Sequence, residues 1–217
     1  MKRGAALLGA ALCLVGCARD WPPAAPRPVD AVLAYEAGPS APQAAPRYGD
    51  RPVCFAQRTQ GRAFERERLE YRALREHRRG RASDEASRVS QLRDLEHVGE
   101  VAWRRIYRPG EPAGSPQPLD PATAAELAGA ARRVLATEPG PIAPIALGPL
   151  PPPLLPLGNP ACGTGGLQFT APAVVGDIAF VESILSSCEN CASGGLFALR
   201  REGDQWRVVA FADTWIT

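Results

Sequence analysis

Lysine is almost missing from this chain. Lys2 is the single one among 25 basic residues, and the rest are arginine. With the abundant alanine, glycine and proline, that usage fits the coding bias of a GC-rich genome. There are two histidines, His77 and His97, and aromatics make up 6 % of the residues. No apolar run reaches the ~20 residues that a helix needs to span a bilayer. Net charge is small as well: 25 basic residues stand against 23 acidic. Removing the leader at residues 1–16, which holds Lys2 and Arg3, leaves 23 against 23. A neutral body offers no positive field to recommend nucleic acid as a partner. The densest basic run, residues 72–81, has little of the aromatic interleaving that single strands stack on. Gly163-Thr164-Gly165-Gly166 lacks the Lys-Ser/Thr of a phosphate loop, and no helix is expected after it. No nucleophile–base pattern and no internal repeat are visible. The catalytic list read from the sequence is therefore empty, and no cofactor is implied.

What is there begins with Lys2 and Arg3, followed by an apolar run over residues 5–15. Such a stretch has the form of an export signal. It ends Leu14-Val15-Gly16-Cys17, which resembles the lipobox of bacterial lipoproteins. The resemblance implies that Cys17 is the first mature residue, carrying a diacylglyceryl thioether and an N-acyl chain. Several acyl chains at ~0.8 kcal/mol per buried CH2 anchor a protein stably where one would not. Ala18 follows, rather than the Asp that favours inner-membrane retention in that family. The implied location is therefore the outer membrane, lipid-anchored, on its periplasmic face.

Residues 17–52 are rich in Pro and Ala and read as an extended tether. Residues 29–35, Val-Asp-Ala-Val-Leu-Ala-Tyr, have the composition of a short helix able to dock on the body. A single domain is expected over 53–217. Helices are predicted at about 61–80, 84–107 and 121–137. The first is charged, with Glu and Arg at helical spacing, and a Gly after Arg78-Arg79 stops it. The second starts at Ser83-Asp84-Glu85, with Val89, Leu92, Leu95, Ala102 and Ile106 as its stripe. The third opens on Asp120-Pro121, with Leu127, Ala131, Val134 and Leu135 on one face. The first two form a predicted hairpin. Residues 72–81 read chiefly as a solvated, ion-paired face, with peptidoglycan carboxylates, lipopolysaccharide phosphates or an acidic protein as the binding alternative.

Residues 139–160 alternate proline with Ile142, Ile145, Leu147, Leu150, Leu154, Leu155 and Leu157. So much apolar surface predicts a strap packed against the body. Strands follow at about 167–171, 178–186, 196–201 and 205–216. Residues 178–186 are apolar on both faces, which predicts a strand covered on both sides. The fold class is α+β: a helical hairpin and a third helix on a C-terminal antiparallel four-stranded meander.

Cys54, Cys162, Cys188 and Cys191 remain once Cys13 leaves with the signal and Cys17 takes lipid. An even number in an oxidising compartment predicts two disulfides. Four cysteines allow three connectivities. If Cys188 and Cys191 clip their loop, Cys54 pairs with Cys162. The spacing Cys188-Glu189-Asn190-Cys191 is also that of thiol–disulfide oxidoreductases, making Cys188 and Cys191 the redox candidates. Those enzymes set the motif at a helix N-terminus, whereas here it lies between predicted strands. Zinc would need that pair plus Cys54 and Cys162, or the histidines. His77 and His97 sit on opposite arms of the predicted hairpin, offset by on the order of 15 Å. Glu182 and Asp213 are acids within the predicted sheet, expected to face water or an Arg such as Arg200 or Arg207, with a carboxylate pair for acid–base work as the alternative. Trp206 and Trp215 are expected at the core or an edge.

The last fifty or so residues carry Ala179-Phe180-Val181-Glu182, then Cys188 and Cys191, then Leu196-Phe197-Ala198-Leu199-Arg200. Gly203-Asp204-Gln205-Trp206-Arg207-Val208-Val209 and Trp215-Ile216-Thr217 complete the set. They resemble a recurrent C-terminal module of bacterial secreted proteins and lipoproteins. The resemblance implies a fold module and transfers no activity. The expectation is a non-enzymatic envelope protein. Its partners would be the membrane, through the anchor, and an envelope protein or peptidoglycan. The alternative is a periplasmic thiol–disulfide or metal-binding protein using Cys188 and Cys191.

Overall fold

The computed structural model describes residues 27–37, 52–76, 82–106, 117–137, 142, 144–148, 150, 154–163, 165–188 and 191–216. The predicted signal, Cys17, His77, Glu189 and Asn190 lie outside the described residues. Among these residues the fold is α+β, with four helices and an eight-stranded, mostly antiparallel mixed sheet.

The helices are α1 (Pro28–Ala37), α2 (Glu65–Glu76), α3 (Ala82–Glu96) and α4 (Pro121–Ala136). The strands are β1 (Cys54–Phe55), β2 (Arg104–Arg105), β3 (Leu155–Pro156), β4 (Gly166–Phe169), β5 (Ala173–Val175), β6 (Ile178–Cys188), β7 (Cys191–Glu202) and β8 (Gln205–Ile216). Their order is β2-β8-β7-β6-β4-β1-β3, and β5 also pairs with β6. β4, β6, β7 and β8 run antiparallel in turn, while β1 lies parallel to both β3 and β4.

β6 explains the layering. Ala179, Val181 and Leu185 join one core cluster, and Ile178 and Phe180 join the other. The first face is covered by Val29, Val32 and Leu33 of α1 and by Leu154, with Ile145, Leu147 and Leu150 packed around it. The second is covered by Leu127, Ala130, Ala131, Val134 and Leu135 of α4, with Phe64 and Trp103. A strand apolar on both faces is what two cover layers require.

α1 lies within the expected tether. Val29, Val32, Leu33 and Glu36 fall at i, i+3, i+4 and i+7, and all are buried. A stripe of that spacing buries itself where an apolar sheet face is free. Over 28–37 the chain is therefore the short docking helix that residues 29–35 allowed rather than extended tether. The strap over 139–160 is described only in part. Leu154 is buried, and Leu155 and Pro156 pair with Cys54 and Phe55.

The predicted second helix, 84–107, ends at Glu96. Turn bonds follow, His97 N–H to the Asp94 carbonyl (3.1 Å) and Glu100 N–H to the His97 carbonyl (2.8 Å). The chain then crosses close to α4, since a methyl on Gly99 would sit 2.3 Å from Ala131 Cβ. Trp103 reaches the core, its Nε1–H donating to the Gly99 carbonyl at 3.1 Å. Arg104 and Arg105 pair with Phe211 and Ala210 of β8. Burial of the indole and a sheet partner outweigh the helical pattern over 101–106.

The expected loop over 187–195 is mostly strand: β6 runs to Cys188 and β7 starts at Cys191. Gly194 and Gly195 are ladder residues paired with Trp215 and Asp213. A Cβ on Gly195 would meet the Phe211 ring at 2.5 Å, so the glycine makes room for an aromatic on the neighbouring strand.

Candidate functional site

The acid at the centre of the sheet, Glu182, is the described group with the most altered chemistry. It follows Phe180 on the α4-facing side of β6, opposite Leu196 of β7. Thr170, just past β4, holds its backbone. The Thr170 Oγ1 accepts from the Glu182 N–H at 2.9 Å, and the Glu182 carbonyl accepts from the Thr170 N–H at 3.0 Å. The carboxylate points toward the start of α2. There the Phe64 N–H donates to Glu182 Oε1 at 3.3 Å. Burial, with Glu67 adding its negative field, pushes the Glu182 carboxyl up to about 7, and the Phe64 N–H pulls weakly the other way. The expectation that Glu182 faces water or an Arg gives way to this backbone partner and a neighbouring acid.

Phe64 itself is unusual. Its φ is 58°, the left-handed region that a residue with a Cβ seldom enters. Its ring is buried and meets Phe180 edge-on at 5.1 Å between centroids. Ahead of it, Gly61 and Ala63 exchange backbone bonds with Ala171. Glu65 turns back to accept from the Arg62 N–H at 3.2 Å.

Two clefts lie beside α2. The larger, about 540 Å³, opens between α2 and α3 and is lined by Glu70, Ala73, Leu74, Gln91, Asp94 and Leu95. The smaller, about 230 Å³, is basic and includes Arg68, Arg72 and Arg75 against residues 135–137 at the end of α4. Its charges are largely answered from within. Arg68 Nη2 donates to the Thr137 carbonyl at 3.0 Å, Arg72 pairs with Glu76 at 2.6 Å, and Arg75 lies over the Tyr71 ring. The helix end beside it presents carbonyls, which suit cations better than anions. The ion pairs on α2, Arg66–Glu70 and Arg72–Glu76, run arginine-first, the weaker order on a helix.

Asp213 pairs with Arg104 of β2 at 3.2 Å, across the β2–β8 edge. The expectation that Asp213 faces water or an Arg holds, with Arg104 as the partner, while Arg200 and Arg207 pair with Glu126 and Glu202. Trp206 packs at the edge of the first core cluster, with Arg201 over its ring. His97 is exposed, its Nδ1 2.6 Å from the Arg93 carbonyl.

Cys54 and Cys162 are joined by a disulfide, with Cα atoms 5.7 Å apart and a separation of 108 positions in sequence. It clips β1 to the short 3-10 turn at Pro160–Cys162. Neither sulfur is then a thiolate ligand for a metal. Cys191 is also disulfide-bonded, and the register sets its Cα opposite that of Cys188. The chain continues from Cys191 as strand, so the thiol-activating helix N-terminus of the oxidoreductases does not follow this motif.

Among the described residues, fold and geometry define an α+β body with a two-sided sheet and, beneath a helix start, an acid whose pKa is raised. No family model, curated protein or solved structure matches this chain. The partnership of Phe64 and Glu67 with Glu182 was not legible in sequence, because more than a hundred residues separate them. Glu182 was legible only as an acid within the predicted sheet, beside Asp213.

Proposed function

We propose that the chain is a lipid-anchored protein of the bacterial envelope, held in the outer membrane through Cys17 and facing the periplasm. Its α+β body serves interaction or envelope structure rather than catalysis. One observation carries the reading: the lipobox Leu14-Val15-Gly16-Cys17 stands ahead of a body stapled by Cys54–Cys162, as suits an oxidising compartment. A body anchored in this way meets peptidoglycan and neighbouring envelope proteins first, and they are the partners proposed. The finer arrangement, an α2–α3 hairpin presented from a C-terminal meander, gives the body a charged arm on which such a partner would act.

The test is mass spectrometry of the mature N-terminus after expression in a Gram-negative host, with membrane fractionation. The expected result is a triacylated Cys17 in the outer-membrane fraction, and Cys17→Ser leaves the protein unprocessed. A soluble periplasmic protein cleaved elsewhere would sink the reading. Co-sedimentation with purified sacculi then separates a peptidoglycan partner from a protein one.

A second reading rests on Cys191, a disulfide-bonded residue at a two-residue connection with Cys188 opposite. In it, the pair exchanges electrons with a thiol oxidoreductase. Measured against a glutathione couple, a potential near those of known exchangers favours it. A bond resistant to mild reduction makes the pair a structural clip.

A further inference from the structure

The entry to α2 combines a residue forced into an unfavoured backbone, a buried apolar ring and a carboxylate facing a second carboxylate. A positive φ at a non-glycine residue persists only where surroundings hold it. Here the holders are the Phe64 ring against Phe180 and the Phe64 N–H on Glu182 Oε1. Among the described residues, the charged groups near that carboxylate come from the start of α2. From α2, Glu67 faces it with like charge. Arg68 of α2 turns instead to the Thr137 carbonyl, and Glu65 turns to the Arg62 N–H. Across the strands its neighbours are Thr170 and Leu196, and along its own strand Phe180 and Ile184, none of them titratable.

We propose that Glu182, Phe64 and Glu67 form a pH-sensitive latch that fastens the first turn of α2 to the sheet at low pH and loosens it as pH rises. With Glu182 protonated, a neutral carboxyl sits under the helix start and Phe64 stays seated. Once Glu182 loses its proton, its largely buried negative charge is opposed by that of Glu67. Lifting the turn hydrates both and releases the backbone strain at Phe64. The Phe64 N–H bond opposes this, but at 3.3 Å it is long for a charge-assisted contact. The lifted turn uncovers the Phe64, Phe180 and Trp103 cluster, an apolar surface hidden when the latch is closed. The raised carboxyl sets the midpoint near neutral pH. The inference concerns the body alone and does not depend on the anchor.

The experiment is hydrogen–deuterium exchange on the mature full-length protein from pH 5.5 to 8.5, corrected for intrinsic exchange. Peptides covering residues 62–76 should lose protection by roughly tenfold or more over that range, while peptides from β6 and β7 keep theirs. Glu182→Gln should hold α2 protected at every pH, and Glu67→Gln should shrink the loss. A flat wild-type profile would overturn the latch, as would a loss that persists in Glu182→Gln. Loss of β6 protection together with α2 would also overturn it, because that pattern is global unfolding. If Glu182→Gln fails to fold, the wild-type series and Glu67→Gln still decide.

Discussion

At the scale of single residues, two positions have environments that dictate their behaviour. Glu182 has a folded-state pKa of about 7 against an ordinary 4.5. Ionising it in the fold costs about 3 kcal/mol more than in the unfolded chain, and less if the start of α2 lifts first. Between those two values the folded protein keeps a proton that the unfolded chain has released. Stability is therefore full below about 4.5, falls as pH rises through about 7, and levels off above. Urea midpoints at pH 5 and pH 8 should show this fall in the wild type, and Glu182→Gln should remove its contribution and be the more stable at pH 8. Gly99 is the second position. An added methyl would lie 2.3 Å from Ala131 Cβ and 3.2 Å from the Ala128 backbone, and neither can swing aside. Gly99→Ala should cost about 1–3 kcal/mol by overpacking, read as a shift in thermal midpoint.

At the scale of elements, the helices differ in what makes them. α4 is specified locally. Asp120 accepts from the Thr123 N–H at 2.9 Å, Pro121 opens the first turn, and Leu127, Ala131 and Val134 face the sheet. Asp120→Ala should cost about 1 kcal/mol, measured by chemical denaturation. α1 is made by its docking, because a ten-residue helix in isolation is marginal in water. Leu33→Ala should cost about 2–5 kcal/mol if α1 belongs to the cooperative unit. A change under 0.5 kcal/mol, the scale of surface substitutions, would return α1 to the tether. β8 illustrates a limit of pattern reading. Period two places Val208 and Ala210 on one face, yet Val208 joins the first core cluster and Ala210 the second. Leu199 pairs with Val208 and Ala198 with Ala210, so Val209 is the extra residue of a bulge that switches the faces.

At the scale of the whole molecule, Cys54–Cys162 spans 108 positions in sequence and closes a loop that holds α2, α3, α4 and the strap. In the chain-entropy model such a closure is worth about 4–5 kcal/mol, so Cys54→Ser with Cys162→Ser should lose a large part of that in denaturant titrations. The bond also joins a two-residue strand that could not stand alone to the turn beyond its parallel partner. By itself the sequence determined the α+β class, the C-terminal strands from Ile178 onward and the start of α4. Those rest on short-range periodicity, turn glycines and capping chemistry, all confined to a few neighbouring residues. It also limited the disulfides to three connectivities, and the Cys54–Cys162 pairing expected beside a Cys188–Cys191 clip is the one the fold makes for that pair. Only the tertiary structure decided that α1 covers a sheet face, that residues 101–106 leave the helix for β2, and that Glu182 lies under Phe64. Each of those depends on partners far away in the chain, where burial of an apolar face or an indole outweighs a local propensity worth a fraction of a kcal/mol per residue.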